Sequence, residues 1–357
     1  VPNTNGSHAR RNGNHATPLV TPALVFLDAK HDIKIYQGDC IEMLENSPPE
    51  SVDLIFADPP YFLSNNGVTC HAGRMVSVNK GEWDRSRGAD SNHEFNRAWL
   101  AACQRVLKSN GTIWVSGTSH VIHSVGFAMQ QLEFKLLNDI SWVKPNPPPN
   151  LSCRYFTHAT ETIIWAAKNK KSRHTFQYKL MKEINGGKQM KSVWTIRPPS
   201  RNEKRFGKHP TQKPVELIER ILLASSNRGD VVLDPFMGSG STAIAAFRLS
   251  RRIIAVEADD ESIDLALIRV CAELIQVLLL ITIHQIDLDL WPDSMDRSIA
   301  ARNFAMETEV TVRLVRSERN FHFIVRLVAK LCSVSPLLTC KTRGGSSGAA
   351  LWLRLKS

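Results

Sequence analysis

The sequence predicts a doubly wound α/β sandwich on a mostly parallel sheet, and three observations carry that expectation. Short β-branched runs alternate with helical patterns from Ile33 onward, two of these runs end in turns dense in proline or glycine, and 43% hydrophobic content over 357 residues suffices for a large core. The runs are Ile33–Tyr36, Val52–Phe56, Thr112–Val115, Ile140–Val143, Thr162–Trp165, Val231–Leu233 and Ile253–Val256. Between them, Glu94–Leu107 carries Phe95, Trp99, Ala102 and Val106 at helical spacing. Pro214–Ala224 opens on a proline at a permitted first-turn position, and Thr242–Leu249 follows a glycine turn. In such sheets ligands bind beyond the carboxyl ends of the strands, so the residues after each strand are where chemistry is expected.

The flanks lack this alternation. Residues 1–30 are rich in Asn, Gly, His and Pro and read as a flexible arm, residues 31–275 as the α/β domain, and residues 276–357 as an extension of unassigned role. Within that extension, Thr308–Val315 and Phe321–Val328 alternate like strands, and GGSSGAA near the end is linker-like. The polar start lacks the apolar run of a secretory signal. The longest apolar stretch, Leu274–Ile283, is broken by Gln276 and Thr282 and falls far short of the roughly 20 residues of a membrane span. Seven cysteines form no CxxC pair, so no metal site is expected and a reducing, cytoplasmic compartment is.

A formal charge of +11 points to a polyanionic partner. Its distribution is sharper than its size: residues 168–213 hold fourteen Lys or Arg against Glu183 and Glu203, which accounts for the whole excess. A merely solvated charge run would not interleave Phe176, Tyr178, Trp194 and Phe206 with the cations; phosphate contact plus base stacking would. Lys191, Arg197, Arg201, Lys204, Arg205 and Lys208 are the candidates for that contact.

Four strand-end motifs carry the chemistry. After Val52–Phe56 come Asp58, Pro59, Pro60 and Tyr61; two prolines remove both backbone donors, leaving carbonyl acceptors that join the Asp58 carboxylate in a set suited to an NH2 group. Tyr61 offers a ring on which a planar base would stack. After Val231–Leu233, Asp234, Pro235 and Phe236 lead into Gly238, Ser239 and Gly240, where glycine permits close approach to the backbone. No Lys follows as in a P-loop and the GxGxxG pattern is incomplete, so a cofactor without a diphosphate fits better. Glu257 ends the next strand, at about the distance at which an acid reaches ribose hydroxyls in Rossmann-like sites. Asp39, before Cys40, would accept from an adenine amino group, and Thr211 and Lys213 of HPTQKP would hold an amino-acid carboxylate.

The order of these motifs, DPPY, basic insert, HPTQKP and DPFMGSG, resembles the β group of amino DNA methyltransferases over residues 32–273. The stretches DPPYFLSNNG, HEFNRAW, NPPPNLSCRYFTHATETIIWA and LMKEINGGKQMKSVWT look closer still to the DpnA-like, GATC-specific adenine methyltransferases of restriction systems. That resemblance implies S-adenosyl-L-methionine bound by Asp39, Lys213, Asp234, Phe236, Gly238, Gly240 and Glu257, and a flipped adenine at Asp58–Tyr61. It also implies DNA as substrate, with single strands accepted as well as duplex, and raises a restriction endonuclease as partner. Ser241 stands where the family commonly has Thr, a change that keeps the hydroxyl. N4-cytosine methylation and a catalytically silent DNA-binding role stay open at this point.

Overall fold

The computed structural model describes residues 22–64, 68–71, 74–77, 84–289, 309–314, 338–345 and 348–355. In chain order the elements are β1 (Ala23–Asp28), β2 (Ile33–Gln37), α1 (Cys40–Asn46), β3 (Val52–Ala57), β4 (Val68–His71), β5 (Arg74–Ser77), α2 (Ala89–Val106), β6 (Leu107–Gly117) and α3 (Ile122–Gln131). There follow β7 (Lys135–Val143), β8 (Thr160–Ala167), α4 (Tyr178–Ile184), β9 (Val193–Thr195), α5 (Val215–Ser225), β10 (Val231–Asp234), α6 (Ser241–Arg248), β11 (Arg252–Glu257) and α7 (Asp260–Asp289). The last strands are β12 (Glu309–Leu314), β13 (Leu338–Gly345) and β14 (Gly348–Leu355).

One sheet has the order β13-β14-β12-β1-β2-β11-β10-β3-β6-β8-β7-β9, and β4 pairs with β5 separately. Its centre, β2-β11-β10-β3-β6, is parallel throughout, as continuous β-branched runs with crossover helices require. Residues alternate between two cores. Leu54, Phe56, Val232 and Ile253 pack with α5, α6 and α7, whereas Ile55, Ala57, Ile113 and Leu233 pack with α2 and α3. Helices therefore cover both faces, the doubly wound arrangement expected.

Strand direction defines two edges. Pairing of Ala57 with Val115, Gly117 with Thr162 and Val143 with Thr160 and Thr195 brings the ends of β3, β6, β7 and β9 and the start of β8 to one edge, together with the ends of β2, β10 and β11. The strand-end motifs of the sequence lie there.

Both flanks differ from expectation. Residues 1–30 do not end as an arm: β1 lies in that range and pairs antiparallel with β2, its Val25 and Phe26 buried in the core. The boundary at 276 falls inside α7, and β12 joins the central sheet through β1. The linker-like GGSSGAA contributes residues to β13 and β14, which pair with each other. Phe321–Val328 lies outside the described residues. Pro214 is the cap residue of α5 and not its first turn.

Candidate active site

At the end of β2, Asp39 caps α1, its Oδ1 accepting from the N–H groups of Ile41 and Glu42 at 2.9 and 3.0 Å. Cys40 follows, buried, and burial pushes its thiol pKa up. At the end of β10, Asp234 is buried and accepts from Phe236 N–H at 3.0 Å; burial raises its carboxyl to about 7. Glu257, ending β11, accepts from three backbone N–H groups: Gly238 at 2.7 Å, Ala258 at 2.9 Å and Asp259 at 3.0 Å. Its pKa is raised too, because burial outweighs those bonds.

The glycine turn has a different cause from the one expected. Gly238 and Gly240 have φ of +52° and +78°, and a Cβ would meet the His209 ring at 3.1 Å and the Ala266 methyl at 3.1 Å. Close approach is thus to the protein's own side chains. Beneath the turn, the buried Arg269 donates to the Ser239 carbonyl, to Ser239 Oγ at 2.8 Å and to Ser241 Oγ at 3.3 Å. Burial above all lowers the Arg269 pKa to about 10, and nothing in the local sequence announced this residue.

A cavity of about 260 Å³ opens between these groups. Of the eleven residues expected to hold a cofactor, all but Gly240 line it, and Asp58 and Pro60 form its other wall. His209 lines it as well; burial lowers its pKa to about 4, so the ring is neutral near pH 7. Among the described residues no cluster of three or more metal-ligating side chains occurs.

Asp58 directly follows β3. The Tyr61 hydroxyl donates to its Oδ1 at 2.6 Å, and Lys213 Nζ donates to its Oδ2 at 2.6 Å. Lys213 also reaches Tyr61 Oη at 3.1 Å and Glu161 Oε2 at 3.5 Å, and Lys144 donates to Glu161 Oε1. Burial would raise the Glu161 pKa, but the two ammonium groups override it and hold the carboxyl at about 2. Burial opposes charge on Lys213 likewise, yet Asp58 and Glu161 raise its pKa. Burial together with Asp58 and Glu161 raises that of Tyr61.

This geometry extends one expectation and corrects another. Lys213 lines the cavity as expected, and its ammonium is in addition engaged by Asp58 and Glu161. Tyr61 does not present its ring for stacking: only 5% is exposed, it packs in the core with Trp99 and Val115, and it acts through its hydroxyl. Its loop is fixed by Asp84, fully buried, which accepts from the N–H groups of Tyr61, Phe62 and Leu63 at 2.9, 2.8 and 3.1 Å. Pro59 sits between Asp58 and Pro60 in the same turn without lining the cavity.

Asp84, Lys144 and Glu161 were missed. An acid two residues into a strand carries no local signal; only β8 pairing beside β6 brings Glu161 to the Tyr61 hydroxyl.

The basic stretch is divided between the two edges. Lys168 donates to Glu50 and to the Leu107 carbonyl, Ser172 to the Ser109 carbonyl and Arg173 N–H to Asn110, all at the edge opposite Asp58. Trp194 is no stacking platform but a core residue near Trp114, with ring centroids 6.0 Å apart. The parallel pairing of β9 with β7 then carries the chain back, so Arg197, Arg201, Lys204, Arg205 and Lys208 emerge at the Asp58 edge; Lys191 precedes β9, exposed. Arg205 lies over the Phe206 ring at 4.6 Å.

Comparison with known proteins gives a family match, described as DNA methylase, over residues 52–267. The chain is 54% identical over 245 residues to the type II methyltransferase M2.DpnII of Streptococcus pneumoniae, covering 68% of this chain and 91% of that protein. It is 50% identical over 235 residues to the type II methyltransferase M2.MboI of Moraxella bovis, covering 66% of this chain and 86% of that one. Among solved structures, the M1.HpyAVI–SAM complex is similar with a TM-score of 0.51 and 28% identity, over 66% of this chain and 98% of that chain. The cytosine-N4-specific PvuII DNA methyltransferase, at 21% identity over 67% of this chain and 86% of that chain, has a TM-score of 0.52 and shows the shared fold alone.

Proposed function

The chain belongs to the family of N6 and N4 DNA methylases, and we propose that its target is N6 of an adenine flipped into the edge beside Asp58, within GATC. It is a DNA methyltransferase that uses S-adenosylmethionine. The observation that carries the adenine reading is Asp58, opening DPPY at the end of β3 and sharing one cavity with Asp39, Asp234 and Glu257.

The donor set suits that cofactor. Asp39, Asp58, Asp234 and Glu257 line the cavity, and the Gly238 N–H that would cradle a diphosphate donates to Glu257 instead. With three of about four acceptor positions filled, Glu257 keeps capacity for a ribose hydroxyl. Asp39, with one oxygen committed to capping, has the other for an adenine amino group. A cationic ligand would favour the ionised form of the buried Asp234 carboxyl. When bound, S-adenosylmethionine supplies a methyl group on a positively charged sulfur.

The target nitrogen is a poor nucleophile because its lone pair is delocalised into the ring. Asp58 and the Pro59 carbonyl accept from the two amino protons, which favours a tetrahedral nitrogen with its lone pair free. Tyr61 and Lys213 hold the Asp58 carboxylate from either side, so orientation is set before the base arrives. Arg197, Arg201, Lys204, Arg205 and Lys208, at the same edge, contact phosphates of the strand carrying the target. Single strands are substrates too, since they avoid the cost of unpairing. A restriction endonuclease of the same specificity is the expected partner in the cell. Among the described residues no helix is long and apolar enough to cross a membrane.

Digestion of methylated DNA to nucleosides, followed by mass analysis, tests the base: N6-methyladenine is expected, and N4-methylcytosine overturns the assignment. Modification-aware sequencing of DNA from cells expressing the chain tests the site, with GATC as the expected context.

A further inference from the structure

The connection between β7 and β8, residues 144–159, stands at the Asp58 edge and, beyond its first residue, takes no part in the network around Asp58. Its base is closed by Lys144 N–H donating to the Ala159 carbonyl at 2.8 Å. Lys144 itself pairs with Glu161, so both feet of the loop adjoin the Lys213 and Tyr61 network. The loop is stiff. Pro145, Pro147, Pro148 and Pro149 restrict its ascending limb, and Asn150 organises the tip. Asn150 Oδ1 accepts from Ser152 N–H and Oγ at 3.0 and 2.7 Å, and its Nδ2 donates to the Tyr155 carbonyl at 2.6 Å.

This braced turn holds apolar groups in water. Phe156 is 96% exposed, Tyr155 61% and Leu151 40%, with Arg154 exposed among them. One exposed aromatic is unremarkable. Three apolar side chains on a preorganised loop at the Asp58 edge of the sheet, beside a cation, call for a ligand that offers both an apolar stack and phosphate. The substrate is such a ligand, and apolar wedges that enter between base steps are a recurrent means of holding DNA open.

We propose that Phe156 is a positioning residue that enters the duplex beside the target nucleotide and fills the gap in the stack while the base sits at Asp58. The proposal rests on the base-flipping reading above. It has a directional consequence: a wedge matters where a stack must be opened and is dispensable where none exists.

The test compares methyl incorporation into unmethylated phage DNA, as duplex and after strand separation, for the parent chain, Phe156→Ala and Phe156→Leu. Incorporation is counted over all bases and sites, so the result does not depend on which base is modified. In Phe156→Ala the duplex-to-single-strand ratio is expected to fall about tenfold or more, since unstacking costs a few kcal/mol. Phe156→Leu, which retains an apolar wedge, is expected to keep most of the parental ratio. An unchanged ratio in Phe156→Ala, or an equal loss on both substrates, overturns the wedge. A product of N4-methylcytosine with a ratio that still falls would instead overturn the adenine assignment and leave the wedge standing.

Discussion

Asp234 and Glu257, at the ends of β10 and β11, are held by neutral donors, backbone N–H groups and, for Asp234, the Thr242 side chain, whereas Asp58 and Glu161, at β3 and β8, are held by side-chain cations. All four lie at one edge of one sheet, yet the two pairs meet opposite electrostatic surroundings. Such donors carry only partial charges, and burial outweighs them, lifting Asp234 to about 7 and raising Glu257. Full positive charges outweigh the same burial and hold Glu161 at about 2. One half of the site therefore awaits a cation, and the other half already contains its own. That division suits a positively charged methyl donor on one side and a neutral amino group on the other.

The contrast between the halves breaks most severely at Lys213. Replacing it with Met leaves Asp58 and Glu161 facing each other in a buried site, and stability should fall by about 3–5 kcal/mol, as for other broken buried pairs. Urea denaturation measures this; an unchanged midpoint would show that water compensates both carboxylates.

Asp58→Ala should lower turnover about a hundredfold to a thousandfold, the range seen when one charge-positioning group is removed. Cofactor affinity should change little, because the cofactor-side carboxylates are untouched. Single-turnover methyl transfer and calorimetric titration separate the two effects, and near-normal turnover rules out the assigned role.

The two halves should also differ in pH dependence. Glu161 has its ordinary value of 4.5 when unfolded and about 2 when folded, so its contribution is complete above 4.5 and is lost as pH falls toward 2. Asp234 has the opposite sign. Folded, it retains a proton that the unfolded chain releases above 3.8, so stability declines as pH rises from about 4 to about 7. Each slope is at most about 1.4 kcal/mol per pH unit. Glu161→Gln should flatten the acid limb and Asp234→Asn the upper one; the same change in both variants would erase the distinction between the halves.

The smallest effect concerns charges outside both halves. Changing Lys204, Arg205 and Lys208 to Gln should reduce the log–log salt slope of duplex binding by about 0.9 for each phosphate no longer neutralised, with sequence preference kept. An identical slope would mean that these cations merely face solvent.

The sequence by itself determined the parallel centre of the sheet and the edge at which the motif residues gather. Hydrophobic runs and the motifs that end them are local: Asp58 follows β3, Asp234 closes β10, Glu257 closes β11, and chain order alone assigns them to strand ends. Partners across the sheet were decided by the tertiary structure. Glu161 became part of the Asp58 network because β8 runs antiparallel beside β6, and Lys213, a residue of the cavity lining, gained an ion pair with a partner 155 residues away in sequence. Pairing likewise split the basic stretch, anchoring Lys168 at the far edge and returning Arg197 to the near one. β1 lay at the end of a segment read as an arm from its overall Asn, Gly, His and Pro content, and pairing with β2 and burial of Val25 and Phe26 show that its short apolar run ALVFLD is a strand. The physical reason is common to these cases. Propensity and motif chemistry act over a few residues, whereas burial and ion pairing depend on which strands become neighbours, a property of the whole chain.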